Sequence, residues 1–75
     1  MQNESETQFA LALGKRVRAQ RLRRALSQQE LADFADVSRN VIINVERGYP
    51  LPRPKTIRKL AAAFDVSVAQ LTEGE

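Results

Sequence analysis

The sequence predicts an all-α domain of five helices, on three observations. Apolar residues recur at helical spacing through most of the 75 residues. Two four-residue segments, Ser27-Gln28-Gln29-Glu30 and Ser67-Val68-Ala69-Gln70, have the form of capping boxes. No stretch shows strand alternation, an internal repeat or a linker composition. The expected organisation is a flexible N-terminal tail over 1–8, one folded domain over 9–72 and a C-terminal tail over 73–75.

The first helix is expected from Phe9 to about Ala25, with Ala10, Leu13, Val17, Leu22 and Leu26 as its apolar series. Ser27 then caps a second helix over 28–35, with Leu31, Ala32 and Ala35 inward. Asp36 ends it, because a short polar side chain tolerates the left-handed conformation. Ser38 caps a third helix through Arg47, and Gly48 stops it. The run Val41-Ile42-Ile43 would favour a strand if isolated, but the flanking cap and glycine argue for helix. Two prolines make residues 48–53 a loop. Pro54 suits the first position of a fourth helix, where Ile57, Leu60, Ala61 and Phe64 form an apolar stripe. The second capping box opens a short fifth helix through Leu71.

Composition narrows the chemistry. With no cysteine and no histidine, disulfides, zinc sites of the Cys/His kind and imidazole or thiolate catalysis are excluded. The three glycines, Gly14, Gly48 and Gly74, form no phosphate-cradling loop. An enzyme is therefore not expected, nor any cofactor, metal or small-molecule ligand. No apolar run approaches the ~18–20 residues needed to cross a bilayer, and no signal peptide is apparent. Charge is unevenly placed. Residues 15–64 hold all twelve bases against four acids, and six of the bases crowd into Lys15, Arg16, Arg18, Arg21, Arg23 and Arg24. Nine of the twelve are arginine, the side chain best matched to phosphate and guanine. Such a run is either a solvated helix face or a polyanion-binding surface, with nucleic acid ahead of membrane.

The most informative pattern spans 28–47. Counting Gln28 as position one, Leu31, Ala32, Ala35, Val37, Ile42 and Val45 fall at positions four, five, eight, ten, fifteen and eighteen. That is the apolar spacing of a helix-turn-helix, with a small residue at position five so that the two helices can approach. Together with LGKRVRAQR before it and PKTIRKLAAAFDVSVAQL after it, this segment resembles the lambda repressor/Cro-type family of helix-turn-helix regulators, the XRE family, over roughly residues 13–71. The family usually carries glycine at the first turn position, where this chain has Asp36.

The resemblance implies a compact five-helix, lambda-repressor-like DNA-binding domain that reads the major groove of a double-stranded DNA operator with helix 39–47. At about 100° per residue, Arg39, Asn40, Ile43, Asn44 and Arg47 share one face of that helix, and Val41, Ile42 and Val45 share the other. Arg39, Asn40 and Asn44 match the family's base-contacting positions, and Ile43 is placed to meet a thymine methyl. Gln28 resembles the family's phosphate-contacting glutamine, while Arg47, Tyr49 and Arg53 resemble a second phosphate clamp. Arg21 and Glu46 resemble a structural ion pair tying the first helix to the third. The implied protein is a transcriptional regulator, a repressor, acting as a homodimer on a pseudo-palindromic operator. The setting it implies is a bacterial cytoplasm and nucleoid, with a chromosomal, phage or plasmid gene, and no membrane partner. Val68 and Leu71 are the candidate dimer contacts, although Leu71 could equally close the core. The alternative is a protein-interaction module of the same fold, such as an antitoxin or adaptor, which would carry an acidic or featureless outer face on helix 39–47.

Overall fold

In the computed structural model, residues 2–73 are described. They form five helices, α1 (Glu4–Arg23), α2 (Gln28–Ala35), α3 (Arg39–Arg47), α4 (Pro54–Phe64) and α5 (Val68–Glu73), with no strand among them. Gly74 and Glu75 of the expected C-terminal tail, and Met1, lie outside the described residues. Glu73 belongs to α5 rather than to a tail.

The N-terminus differs from the expectation of a tail over 1–8. Helix α1 begins at Glu4 because Asn3 and Glu6 form a third capping box. The Asn3 side chain accepts from the Glu6 amide at 2.8 Å, and the Glu6 carboxylate accepts from the Asn3 amide at 3.2 Å. This extra turn carries no apolar periodicity because it projects past the core, with residues 4–6 exposed. Helix α1 also stops at Arg23, not Ala25, which takes a left-handed φ of 56°.

One ending recurs. Helices α1, α2, α3 and α4 are each followed by a left-handed residue, namely Ala25, Asp36, Gly48 and Asp65, with φ between 56° and 85°. In each case the next amide reaches back to a carbonyl of the last turn: Leu26 to Arg21, Val37 to Ala32, Tyr49 to Asn44 and Val66 to Ala61, at 3.0–3.2 Å. This turns the chain sharply, so that four short connections suffice to fold five helices. The Val41-Ile42-Ile43 run lies wholly within α3, fixed by the Ser38 cap and Gly48 on either side.

The core is shared by all five helices. Leu13, Val17, Leu31, Ile42, Leu60, Phe64 and Leu71 are its largest fully buried side chains. Every apolar position of the helix-turn-helix spacing is buried except Val37, which is half-buried against the same cluster. Leu71, 1% exposed, closes the core and is not available as a dimer contact, whereas Val68 stays 40% exposed. Leu22 is corrected too, at 54% exposed, because the buried stripe of α1 continues from Val17 to Arg21 instead. The radius of gyration, 11.1 Å, is close to the ~11 Å expected of a compact chain of this length. No helix of the described residues is long and apolar enough to cross a membrane.

Candidate nucleic-acid interface

Helix α3 is held from behind and left open in front. Ile42 and Val45 are buried against the core and Val41 packs beside them. On the opposite face Arg39, Asn40 and Arg47 are exposed, and Ile43 and Asn44 are half-buried. The four residues expected to contact bases, Arg39, Asn40, Ile43 and Asn44, therefore lie along one continuous strip. Two asparagines are unfavourable choices in a helix interior, and neither caps a helix. What they offer is a carboxamide, the group whose donor and acceptor can pair with the edge of adenine.

A buried ion pair sets the angle at which α3 is presented. Arg21 Nε donates to Glu46 Oε2 at 2.6 Å and Nη2 donates to Oε1 at 3.0 Å, a two-pronged bond between α1 and α3. The third nitrogen, Nη1, donates to the Leu26 carbonyl at 2.9 Å. Gln28, first residue of α2, adds a bond from Nε2 to Glu46 Oε1 at 3.2 Å. One carboxylate thus gathers α1, α2 and α3. The hydrogen bond with Glu46 raises the Arg21 pKa above the ordinary arginine value, opposed by burial and reinforced by the Glu46 charge. Among the described residues no buried side-chain nitrogen or oxygen lacks a partner.

The close approach of α1 to α3 depends on Gly14. A Cβ there would collide with the Val45 carbonyl and come within 3.0 Å of the Glu46 carbonyl oxygen. A glycine inside a helix costs about 1 kcal/mol relative to alanine, and here it lets two backbones touch. A glycine within a helical period carries no local mark of such a contact.

The segment after α3 carries the other expected phosphate contacts. Arg47 Nη2 donates to Asn44 Oδ1 and to the Tyr49 carbonyl, each at 3.2 Å. Tyr49 is 56% exposed, within reach of solvent beside the helix end. Arg53 is exposed at the N-cap of α4. The loop is pinned by the N-terminal turn, where Gln2 Oε1 accepts from the Leu51 amide at 2.7 Å. Gln28 is half-buried, with its amide turned toward Glu46.

The basic run of α1 is less of a single surface than its sequence suggests. Besides Arg21, Arg16 donates to the carbonyls of Thr72 and Glu73, at 2.7 and 3.1 Å, closing the end of α5. Arg24 donates to the Phe64 carbonyl at 2.7 Å and lies 4.9 Å from the centre of that ring. Half of the six bases therefore tie helices together. Arg18, another member of the run, borders a polar cleft with Gln28, Gln29 and Arg39.

A family model described as Helix-turn-helix matches residues 17–71. Among curated proteins the chain is similar to a competence pilus inhibition repressor of Acinetobacter baylyi. The two are 41% identical over 59 residues, covering 79% of this chain and 54% of that protein. It is 34% identical over 56 residues to the cryptic phage CTXphi transcriptional repressor RstR of Vibrio cholerae, covering 75% of this chain and 50% of the relative. To the immunity repressor protein of Bacillus phage phi105 it is 31% identical over 65 residues, covering 87% and 45% respectively. The chain spans about half the length of the curated relatives it matches.

Proposed function

The chain belongs to the lambda repressor/Cro-type (XRE) helix-turn-helix family, and on that basis we propose that it is a DNA-binding transcriptional regulator, a repressor, that recognises a particular operator sequence. The observation that carries this reading is the two-sided α3, with Ile42 and Val45 in the core and Arg39, Asn40, Ile43 and Asn44 turned outward. An interaction module that had given up DNA would have no use for such a strip. Membership of this family also leaves no place for an enzymatic role.

In the proposed complex α3 enters the major groove and α2 braces the backbone beside it. Arg39 is suited to guanine, Asn40 and Asn44 to adenine, and Ile43 to a thymine methyl. Gln28, Arg47, Tyr49 and Arg53 take phosphates on either side of the groove. A single domain presents a small interface, so we place two copies on a pseudo-palindromic operator. Half-sites one turn apart are separated by ~34–36 Å. The longest dimension of the domain, 31 Å, is of similar size to that spacing. Such a protein works in the cytoplasm, at the nucleoid.

Selection of bound molecules from a random duplex library tests the reading. The expected product is an inverted repeat with defined letters in each half. Recovery of duplexes with no shared sequence would overturn it, and a single unrepeated motif would remove the dimer while sparing the sequence preference.

A further inference from the structure

We propose that the cleft between α1, the start of α2 and the start of α3 seats one phosphate of the DNA backbone, with Arg18 supplying the charge that holds it. The proposal rests on the DNA-binding reading above, in which Gln28 already takes a phosphate, and adds Arg18 as the charge beside it.

The cleft has a volume of about 480 Å³ and is lined by Arg18, Arg21, Ser27, Gln28, Gln29 and Arg39. Most of these side chains are already engaged. Arg21 is committed to Glu46 and the Leu26 carbonyl. The Ser27 hydroxyl accepts from the Glu30 amide, and Gln29 donates to Asp33. Gln28 gives Glu46 one hydrogen of its Nε2 and keeps a second. Arg18 and Arg39 are different. Both are exposed, and among the described residues neither makes a hydrogen bond or ion pair. No carboxylate lines the cleft to balance them. The acids of α2 are turned to other work, Glu30 to the Ser27 amide and Asp33 to Gln29.

An uncompensated guanidinium bordering an open polar cleft favours an anion beside it, and Arg18 is left for that role once Arg39 is given to the bases. Its position specifies which anion. Arg39 is the first residue of α3, so the cleft lies at the edge of the strip that would face the bases, where a groove is flanked by its own phosphates. Arg18 stands one helical turn before Arg21, and the Arg21–Glu46 bond fixes that turn of α1 relative to α3. The backbone that carries the arginine is thereby held firmly at the groove edge, so that only the side chain is ordered on binding.

The test is a salt titration of binding, by fluorescence anisotropy, to a mixed-sequence duplex of about 20 base pairs. It compares the unmodified protein with Arg18→Ala, Arg18→Lys and Arg23→Ala. Arg23 is another exposed arginine of the same helix that lines a separate cleft with Gln70 and Leu71 of α5. Arg18→Ala is expected to weaken binding roughly fivefold and to reduce the slope of log affinity against log salt by about 0.9. Arg18→Lys should keep most of the slope, and Arg23→Ala all of it. The thermal midpoint of Arg18→Ala should match that of the unmodified protein, since the fold makes no use of the side chain. Equal slopes for Arg18→Ala and the unmodified protein overturn the proposal, as do equal losses for Arg18→Ala and Arg23→Ala. Failure of the unmodified protein to bind any duplex is a separate result, which would remove the DNA-binding reading itself.

Discussion

Arg39 and Arg47 share a face of α3 but differ in what holds them. Arg39 has no partner among the described residues, whereas Arg47 is drawn back toward the helix end by Asn44 and the Tyr49 carbonyl. Arg39→Ala is accordingly expected to cost ~1–3 kcal/mol of binding and to relax preference at particular base pairs. Arg47→Ala should weaken binding to every duplex alike and lower the salt slope by about one. Titrations of both variants against a panel of single-letter operator changes separate the two roles, and identical profiles would abolish the distinction. Arg21 belongs to the scaffold. Arg21→Ala strands the Glu46 carboxylate and should lower unfolding free energy by ~3–5 kcal/mol in denaturant titration. An unmoved midpoint would show that the pair does not carry the α1–α3 contact. The Arg21–Glu46 pairing was legible through the family resemblance, which the two positions matched. The Gln28–Glu46 bond was not, since an amide chooses its partner only after α2 and α3 have met. Nor were the roles of Arg16 and Arg24 legible. Both donate to backbone carbonyls, and a carbonyl acceptor leaves no mark in a sequence.

At the scale of helices, the starts of α2, α3, α4 and α5 followed from Ser27, Ser38, Pro54 and Ser67, because a cap is a local bargain among three or four neighbouring residues. The start of α1 was missed for a related reason. Its cap, Asn3 with Glu6, sits in a polar stretch with no apolar period behind it, so the first turn shows only as a capping box. The end of α1 was placed late because Ala25 carries no signal for the left-handed conformation it adopts. Gly14 illustrates a contact that only two assembled helices reveal. Gly14→Ala would improve the helix propensity of α1 by about 1 kcal/mol, yet the new methyl meets the Val45 carbonyl. Overpacking of this kind costs ~1–3 kcal/mol, so a net loss of thermal stability is expected. A rise in the thermal midpoint would mean that α1 and α3 can separate at little cost.

For the molecule as a whole, the missing residue types govern its response to conditions. Without histidine or cysteine, no side chain has an ordinary pKa between the carboxylates and tyrosine. The shift at Arg21 is upward. Its stabilisation is therefore fully present below the ordinary arginine value and is lost only as pH rises beyond the raised folded value. The thermal midpoint should stay flat between about pH 6 and 8.5 in calorimetry. A steady slope across that window would contradict the assignment. Salt is the opposite case: it should leave the buried ion pair nearly untouched while weakening attraction to any polyanion.

The separation of duties within α3 has an evolutionary corollary. Its inner residues and Glu46 carry the architecture, while Arg39, Asn40 and Ile43 give no side-chain hydrogen bond to the rest of the described chain and Asn44 only accepts one from Arg47. On the proposed reading, those four positions are lettering on a fixed press. Descendants of one ancestor would then drift to new target sequences without passing through unfolded intermediates, with the exposed Arg39 and Asn40 the easiest of the four to exchange.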